Sequence, residues 1–310
     1  MSRKAFTMIE LLFVIVIMGI VGGLALEAIR QYYEGVYKTQ TIAKRVSEAD
    51  HILDLVAKRF ENAIELSIAN FDGRGDDNIT GACDGHPVAD GNNTDFTVVM
   101  VTVETDSQRV QYGDEPGWYE EIDKNSTATK MNSSGVNHNR ANDIINQKYG
   151  YGLVNSAIYN AQGFTDVCRD FYPSSADDDA GVYYVIDSFT KTDVVVSSKA
   201  NADLDVYGSY IQKYLLDTGI AFRAMDDGRF VMFSGFRPWL GHNYKNSGKE
   251  TLLGTNVSSF HASFDKDNNM INTGAAWKLK ICMMGLDEGL ATADDQDLAI
   301  CRERSVNVRY

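Results

Sequence analysis

The chain has 310 residues, 44% hydrophobic and 23% charged, with a formal net charge of -14 and a pI near 4.8. This length allows one large domain or two small ones and carries enough apolar content to bury a core. An acidic surface repels phosphates. Basic residues cluster only at Arg3-Lys4 and at the C-terminal Arg302, Arg304 and Arg309, which weighs against direct nucleic-acid binding.

Residues Met1–Ala5 (MSRKA) are short and basic, and an apolar run follows from Phe6 to Ile29. No charged side chain lies between Leu11 and Leu26. As a helix, Phe6 to Leu26 spans roughly 30 Å, about one bilayer core. Arg3 and Lys4 would hold the N-terminus in the cytoplasm by the positive-inside rule, placing the remainder beyond the inner membrane. An ordinary secretory signal fits poorly, because an acidic residue stands at the front of the run and no small-x-small cleavage site precedes a polar mature start.

Glu10 separates a plain anchor from something more specific. A carboxylate at the edge of a bilayer-length helix is costly unless it has a partner, and no Lys or Arg stands between Phe6 and Ile29. Cleavage before Phe6 would create an α-amino group at the right depth on a neighbouring chain, so Glu10 could set the axial register of a helical bundle. Gly19, Gly22 and Gly23 fit either close helix packing or a point where the helix unwinds.

Beyond the membrane, Ile42, Val46, Ala49, Ile52, Leu53, Val56, Phe60, Ile64 and Ile68 recur at spacings of three and four, one apolar stripe of an amphipathic helix. No proline occurs before Pro87, so the spacing predicts one helix from Phe6 to about residue 70. The Gly-, Asp- and Asn-rich stretch 71–95 reads as a loop, and the polar stretch 107–149 as an insertion. Strands are expected over 95–104, 182–189, 193–197, 220–225, 229–236, 257–264, 277–283 and 305–310. Asp226-Asp227-Gly228 is a hairpin turn signal. The segment 204–216 fits helix or strand.

Four cysteines occur, and none forms a C-x-x-C pair. An even count in an exported domain suggests disulfides. Cys282 and Cys301 would close a loop of roughly 20 residues, worth about 3 kcal/mol in the chain-entropy model. Cys83–Cys168 follows by elimination.

The segment Lys4-Ala5-Phe6-Thr7-Met8-Ile9-Glu10-Leu11 resembles the prepilin signal of type IV pilins and type II secretion pseudopilins: a basic leader, cleavage before Phe, and Glu as the fifth mature residue. The resemblance implies cleavage between Ala5 and Phe6 by a prepilin peptidase and N-methylation of Phe6. Ala5 departs from the family's usual Gly at the cut. Losing Arg3 and Lys4 would leave the mature chain at 27 - 43 = -16. The segments 228–285 and 299–310 more loosely resemble the head of minor pilins and pseudopilins.

The fold implied is α+β and pilin-like: leader 1–5, transmembrane helix 6–29, its amphipathic continuation 30–70, and a β-rich head 71–310 with loop insertions. The function implied is a minor subunit, at the tip or in initiation, of a type II secretion pseudopilus or type IV pilus. Its partners would be other subunits, the prepilin peptidase, the inner-membrane assembly platform and the lipid bilayer. Other readings are a tip adhesin or substrate-binding module, and a competence pseudopilin for DNA uptake.

Asp265-Lys266-Asp267-Asn268-Asn269 alternates oxygen ligands as a Ca²⁺ loop does, with Asp265, Asp267 and Asn269 as candidate ligands, but Met270 stands where an EF-hand requires glycine. A solvated turn is favoured, and no cofactor is expected. Asp72–Asn78 and Asp177–Asp179 are similar acidic loops. Five N-x-S/T sequons lie at Asn78, Asn92, Asn125, Asn132 and Asn256. The histidines are scattered, no G-x-S-x-G or P-loop occurs, and no enzyme is expected. Trp118, Trp239 and Trp277 fit core and hairpin packing better than a binding platform; an exposed contact at Trp239, after Arg237-Pro238, is the weaker alternative.

Overall fold

The computed structural model of the chain describes residues 8–72, 96–103, 130–132, 137–160, 168, 171–172, 182–190, 193–198, 213–264, 276–284 and 299–308. Helix α1 runs from Met8 to Phe60 without interruption. Its last three turns bury Ala49, Ile52, Leu53, Val56, Ala57 and Phe60, the stripe of three-and-four spacing expected from the sequence.

The helix stops at Phe60 rather than near residue 70. The last turn tightens, with Asn62 N and Ala63 N donating to the carbonyls of Arg59 and Phe60. The chain then joins a strand: Ile64 N donates to Val101 O at 2.9 Å, and Val103 N donates to Asn62 O at 2.9 Å. Ile64 and Ile68 are nevertheless buried, at 1% and 0% exposure. Their spacing marks burial, not helix, because sheet hydrogen bonds take over from the helical ladder. A 3₁₀ turn, Glu65–Ser67, follows. Its Ser67 hydroxyl donates to Ile64 O and accepts from Val101 N.

The strands are β1 (Ala69–Asp72), β2 (Phe96–Val103), β3 (Lys130–Asn132), β4 (Ala157–Asn160), β5 (Tyr183–Phe189), β6 (Asp193–Ser198), β7 (Lys213–Ala224), β8 (Phe230–Phe236), β9 (Lys249–Gly254), β10 (Val257–Phe264), β11 (Ala276–Met283) and β12 (Ile300–Asn307). Among the described residues, nine form one sheet in the order β1-β2-β7-β4-β5-β6-β3, with β8 paired to β7 and β9 to β8. The remaining three form the sheet β10-β11-β12, and every pairing is antiparallel. The β7–β8 hairpin closes at the expected Asp226-Asp227-Gly228, where Gly228 takes φ +80°.

β7 joins two cores. Through residues 216–224 it pairs with β2 and β8, beside the core that holds α1 (Phe60, Phe222, Phe230, Phe260, Trp277). Through residues 213–215 it pairs with β4, in a second lobe around Tyr159, Phe171, Tyr183 and Trp239. Helix α2 (His138–Tyr149) caps a third cluster with Ile145, Ile158, Tyr184 and Leu215. Gly254 of β9 lies against α1 so closely that a Cβ there would meet Ile52 Cδ1 at 2.5 Å.

Several elements differ from expectation for identifiable reasons. β7 begins before Ile220 because Asp217 and Thr218, polar in sequence, are buried and bonded: Thr218 Oγ1 accepts from Gly235 N at 2.8 Å. β12, Ile300–Asn307, begins earlier than residue 305; residues 309 and 310 lie outside the described residues. Its Arg302 and Arg304 interrupt the apolar pattern but pair with Asp50 and Asp54 of α1. Helix α2 falls inside the stretch read as insertion. Its N-cap is Asn137, which accepts from Arg140 N, and its C-cap is Gly150 in the left-handed region. Trp239 is fully buried, and its indole N–H donates to Asn155 O at 2.8 Å, so it is a core residue and not a surface contact. Cys282 and Cys301 face each other across β11 and β12 and are disulfide-bonded. Cys168 is disulfide-bonded; Cys83 lies outside the described residues.

Candidate functional site

The part of the molecule that its own fold leaves unsatisfied is the first half of α1. From Met8 to Ile29 every large apolar side chain is exposed, the least so being Val14 at 43%. These side chains cover all sides of the helix, unlike the single stripe of residues 49–60. A helix apolar all round requires an apolar surrounding. Among the described residues, α1 is one helix long and apolar enough to cross a membrane. Gly19, Gly22 and Gly23 lie within this unbroken helix, and among the described residues nothing outside the helix comes within 4 Å of a Cβ placed at any of them.

Glu10 is exposed in the first turn of α1. The unsatisfied amides of a helix N-terminus favour a carboxylate at that end. Ala5 and Phe6, the expected cleavage pair, lie outside the described residues, as do Asp265, Asp267 and Asn269 and the sequons at Asn78, Asn92 and Asn125.

Between the apolar half and the head, α1 carries a charged stem. Arg30 sits 3.6 Å from Glu27 and 3.5 Å from Glu34, while Lys44 and Arg45 both reach Glu48. The exposed pairs of Arg30 and Lys44 support the helix weakly, by a few tenths of a kcal/mol each, while the Arg45 side chain is largely covered. Where α1 enters the head, Arg302 Nε donates to Asp50 at 2.9 Å, and Arg304 pairs with Asp54 one turn further on. The arginines extend the inner face of β12, on which Val306 and Val308 are buried, so helix and closing strand meet as apolar contact above and ion pairs below. The sequence signal for this was opposite charge: Asp50 and Asp54 at i,i+4, Arg302 and Arg304 at i,i+2, the spacings that align side chains on a helix and on a strand.

The head holds one buried polar network. Asp217 accepts from Lys148 Nζ at 3.0 Å and from the Tyr149 hydroxyl at 2.7 Å, and Tyr151 donates to its backbone carbonyl. The Arg237 guanidinium lies over the Tyr151 ring at 4.3 Å. This ties the C-terminal end of α2 to β7 and to the end of β8. Burial, and then the Arg237 charge, hold the His242 imidazole below its ordinary pKa. Burial, then the Lys280 charge, does the same at His261. At His138 burial lowers the pKa, partly offset by the hydrogen bond to Thr190 O and by the charge of Asp193. Burial pushes the Tyr172 and Tyr183 phenols well up. Their hydroxyls donate to Ser67 O and Phe171 O, a packing role. Among the described residues no three His, Cys, Asp or Glu side chains are grouped to hold a metal ion.

Residues 1–26 match the family model described as the prokaryotic N-terminal methylation motif, the signal of type IV pilins and pseudopilins. No curated protein and no solved structure matches the chain. The matched residues are the basic segment 1–5 and most of the exposed apolar half of α1. The motif therefore supports a pilin or pseudopilin subunit that is anchored in a membrane, associates with other subunits and is a substrate of the prepilin peptidase.

Proposed function

We propose that the chain is a structural, non-catalytic subunit of a type IV pilus or type II secretion pseudopilus, in a minor position at the tip or in initiation. The observation that carries this reading is the methylation motif joined to a helix whose first half is apolar on every side and unpacked by its own head. Such a helix rests in the inner membrane with the head in the periplasm, and in a filament exchanges lipid for neighbouring helices. Cleavage between Ala5 and Phe6 and methylation of Phe6 place a charged amine at the helix end. Glu10 of one subunit pairs with that amine on the next and sets the axial step.

The head supports a minor position. Its second lobe, built on β3–β6 and α2 with a cluster around Ile145, Tyr184 and Val194, adds bulk beyond the part that packs on α1. A repeating shaft has little room for such bulk, whereas a tip does. The same lobe would carry contacts if the tip also binds an external partner.

The test is made on the native filament system. Intact mass and N-terminal sequencing of the mature subunit are expected to give methylated Phe6. Glu10→Val is expected to be processed normally yet to disappear from the sheared filament fraction. Normal incorporation of that variant would remove the pairing mechanism, and a different mature N-terminus would remove the signal itself.

A further inference from the structure

Just past the apolar run, α1 presents Tyr32, Tyr33 and Tyr37, exposed at 68%, 67% and 44%. At 100° per residue they occupy an arc of about 140° around the helix. The charged ridge Glu27–Arg30–Glu34 takes the side opposite Tyr32. Tyr32 and Tyr33 pack edge to face at 5.9 Å yet stay exposed, and tyrosines with an exposed aromatic body and a polar tip, immediately beyond a bilayer-length apolar segment, have the chemistry of the membrane–water interface.

The spacing along the helix is informative. Glu10 and Tyr32 are 22 residues apart, about 33 Å on an α-helix, against a hydrocarbon core of about 30 Å. With the tyrosines at the outer headgroup level, the Glu10 carboxylate falls at the inner one. The next fixed point is Ala49, the first buried residue of α1. It lies about 24 Å beyond Tyr33, joined to the tyrosines by the charged stem.

We propose that Tyr32, Tyr33 and Tyr37 form an aromatic anchor in the outer lipid headgroup region that sets the depth of the subunit before assembly. The anchor keeps Glu10 at the cytoplasmic headgroup level, where a carboxylate remains hydrated, until the helix is drawn upward. Drawing the helix into a filament then removes the tyrosines from the interface and carries Glu10 into an apolar surrounding, so both changes oppose release of an unpaired subunit. This inference rests on the reading of α1 as a membrane anchor.

The experiment uses the full chain in vesicles of phosphatidylethanolamine and phosphatidylglycerol under non-reducing conditions. Single cysteines are introduced as Val21→Cys, Ile29→Cys or Thr39→Cys, and a membrane-impermeant maleimide is added on the side of the head. Position 21 is expected to be protected, position 39 to react fast and position 29 slowly. Replacing all three tyrosines by Ser is expected to raise labelling at position 29 several-fold while position 21 stays protected. An unchanged rate at position 29 would overturn the anchor. So would unchanged labelling with loss of filament incorporation, which would assign the tyrosines to neighbouring helices. Labelling at position 21 as fast as at position 39, with the tyrosines intact, would overturn the membrane-spanning reading as well.

Discussion

The two halves of α1 are made of similar side chains and meet different solvents. From Met8 to Ile29 the helix is apolar on all sides, and among the described residues its large apolar side chains stay exposed. From Ala49 to Phe60 it is apolar along one stripe, and that stripe lies in the largest core of the head. A single regular element is thus long and apolar enough to cross a membrane at one end and is a core helix at the other. The angular width of the apolar surface decides which. A full cylinder requires lipid or neighbouring helices, whereas a stripe requires one sheet.

The strongest way to break this comparison is to make the same change in both halves. Ile52→Lys puts an unpaired charge where the side chain is 2% exposed and touches β9. The cost, several kcal/mol, is comparable with the whole stability of a domain. The full chain in detergent is expected to lose the cooperative melting of its head. Ile17→Lys is expected to leave that melting unchanged and to weaken membrane retention by about 2.5–3.5 kcal/mol on the insertion scale. A loss of head stability from Ile17→Lys would show that the two halves are coupled.

The next largest effect is at the Cys282–Cys301 bridge, 19 residues apart in sequence. Replacing both cysteines by Ser is expected to cost about 3 kcal/mol, read from denaturant melts of the head. Membrane retention should not change, because the bridge lies outside the first half of α1.

A smaller effect is expected on acidification. Burial holds His138, His242 and His261 below the ordinary imidazole pKa. Below about 6.5 the unfolded chain therefore binds more protons than the folded one, so stability, fully present above that value, falls as pH drops through it. The melting temperature should be lower at pH 5.5 than at 7.5. His138→Asn should reduce that difference without abolishing it, since the other two histidines shift the same way.

The smallest effect is expected from Arg302→Ala. Its pair with Asp50 is exposed on both sides, and the melting temperature should stay within measurement scatter. A clear drop would mean that the helix–strand ion pairs position β12 rather than decorate it.

How much was legible in the sequence follows from these energies. The apolar half of α1 and the stripe from Ala49 to Phe60 were legible, because an apolar surrounding or burial along one face imposes a local composition or period. Most strands of the head were legible for the same reason, as was the Asp226-Asp227-Gly228 turn. The end of α1 was not. Glu61 to Ile68 keeps the helical spacing, yet its backbone bonds to β2, a partner more than thirty residues away. The start of β7 was obscured because the buried Asp217 looks like a solvent residue until Lys148 and Tyr149 are brought to it. The tyrosines at 32, 33 and 37 gave a readable signal, aromatic residues just beyond an apolar run, that pattern reading by period alone overlooks.

The sequence by itself determined that the chain has a methylation-type motif at its start, a bilayer-length apolar helix and an acidic, β-rich head. Each is a property of composition or of neighbours three to four residues apart. Only the tertiary structure decided where the helix ends, which sheet β7 joins to which core, that Trp239 is interior, and that Arg302 and Arg304 lie against Asp50 and Asp54. Those outcomes depend on groups far apart in the chain satisfying one another's hydrogen bonds and charges, and no local pattern encodes which distant partner will be there.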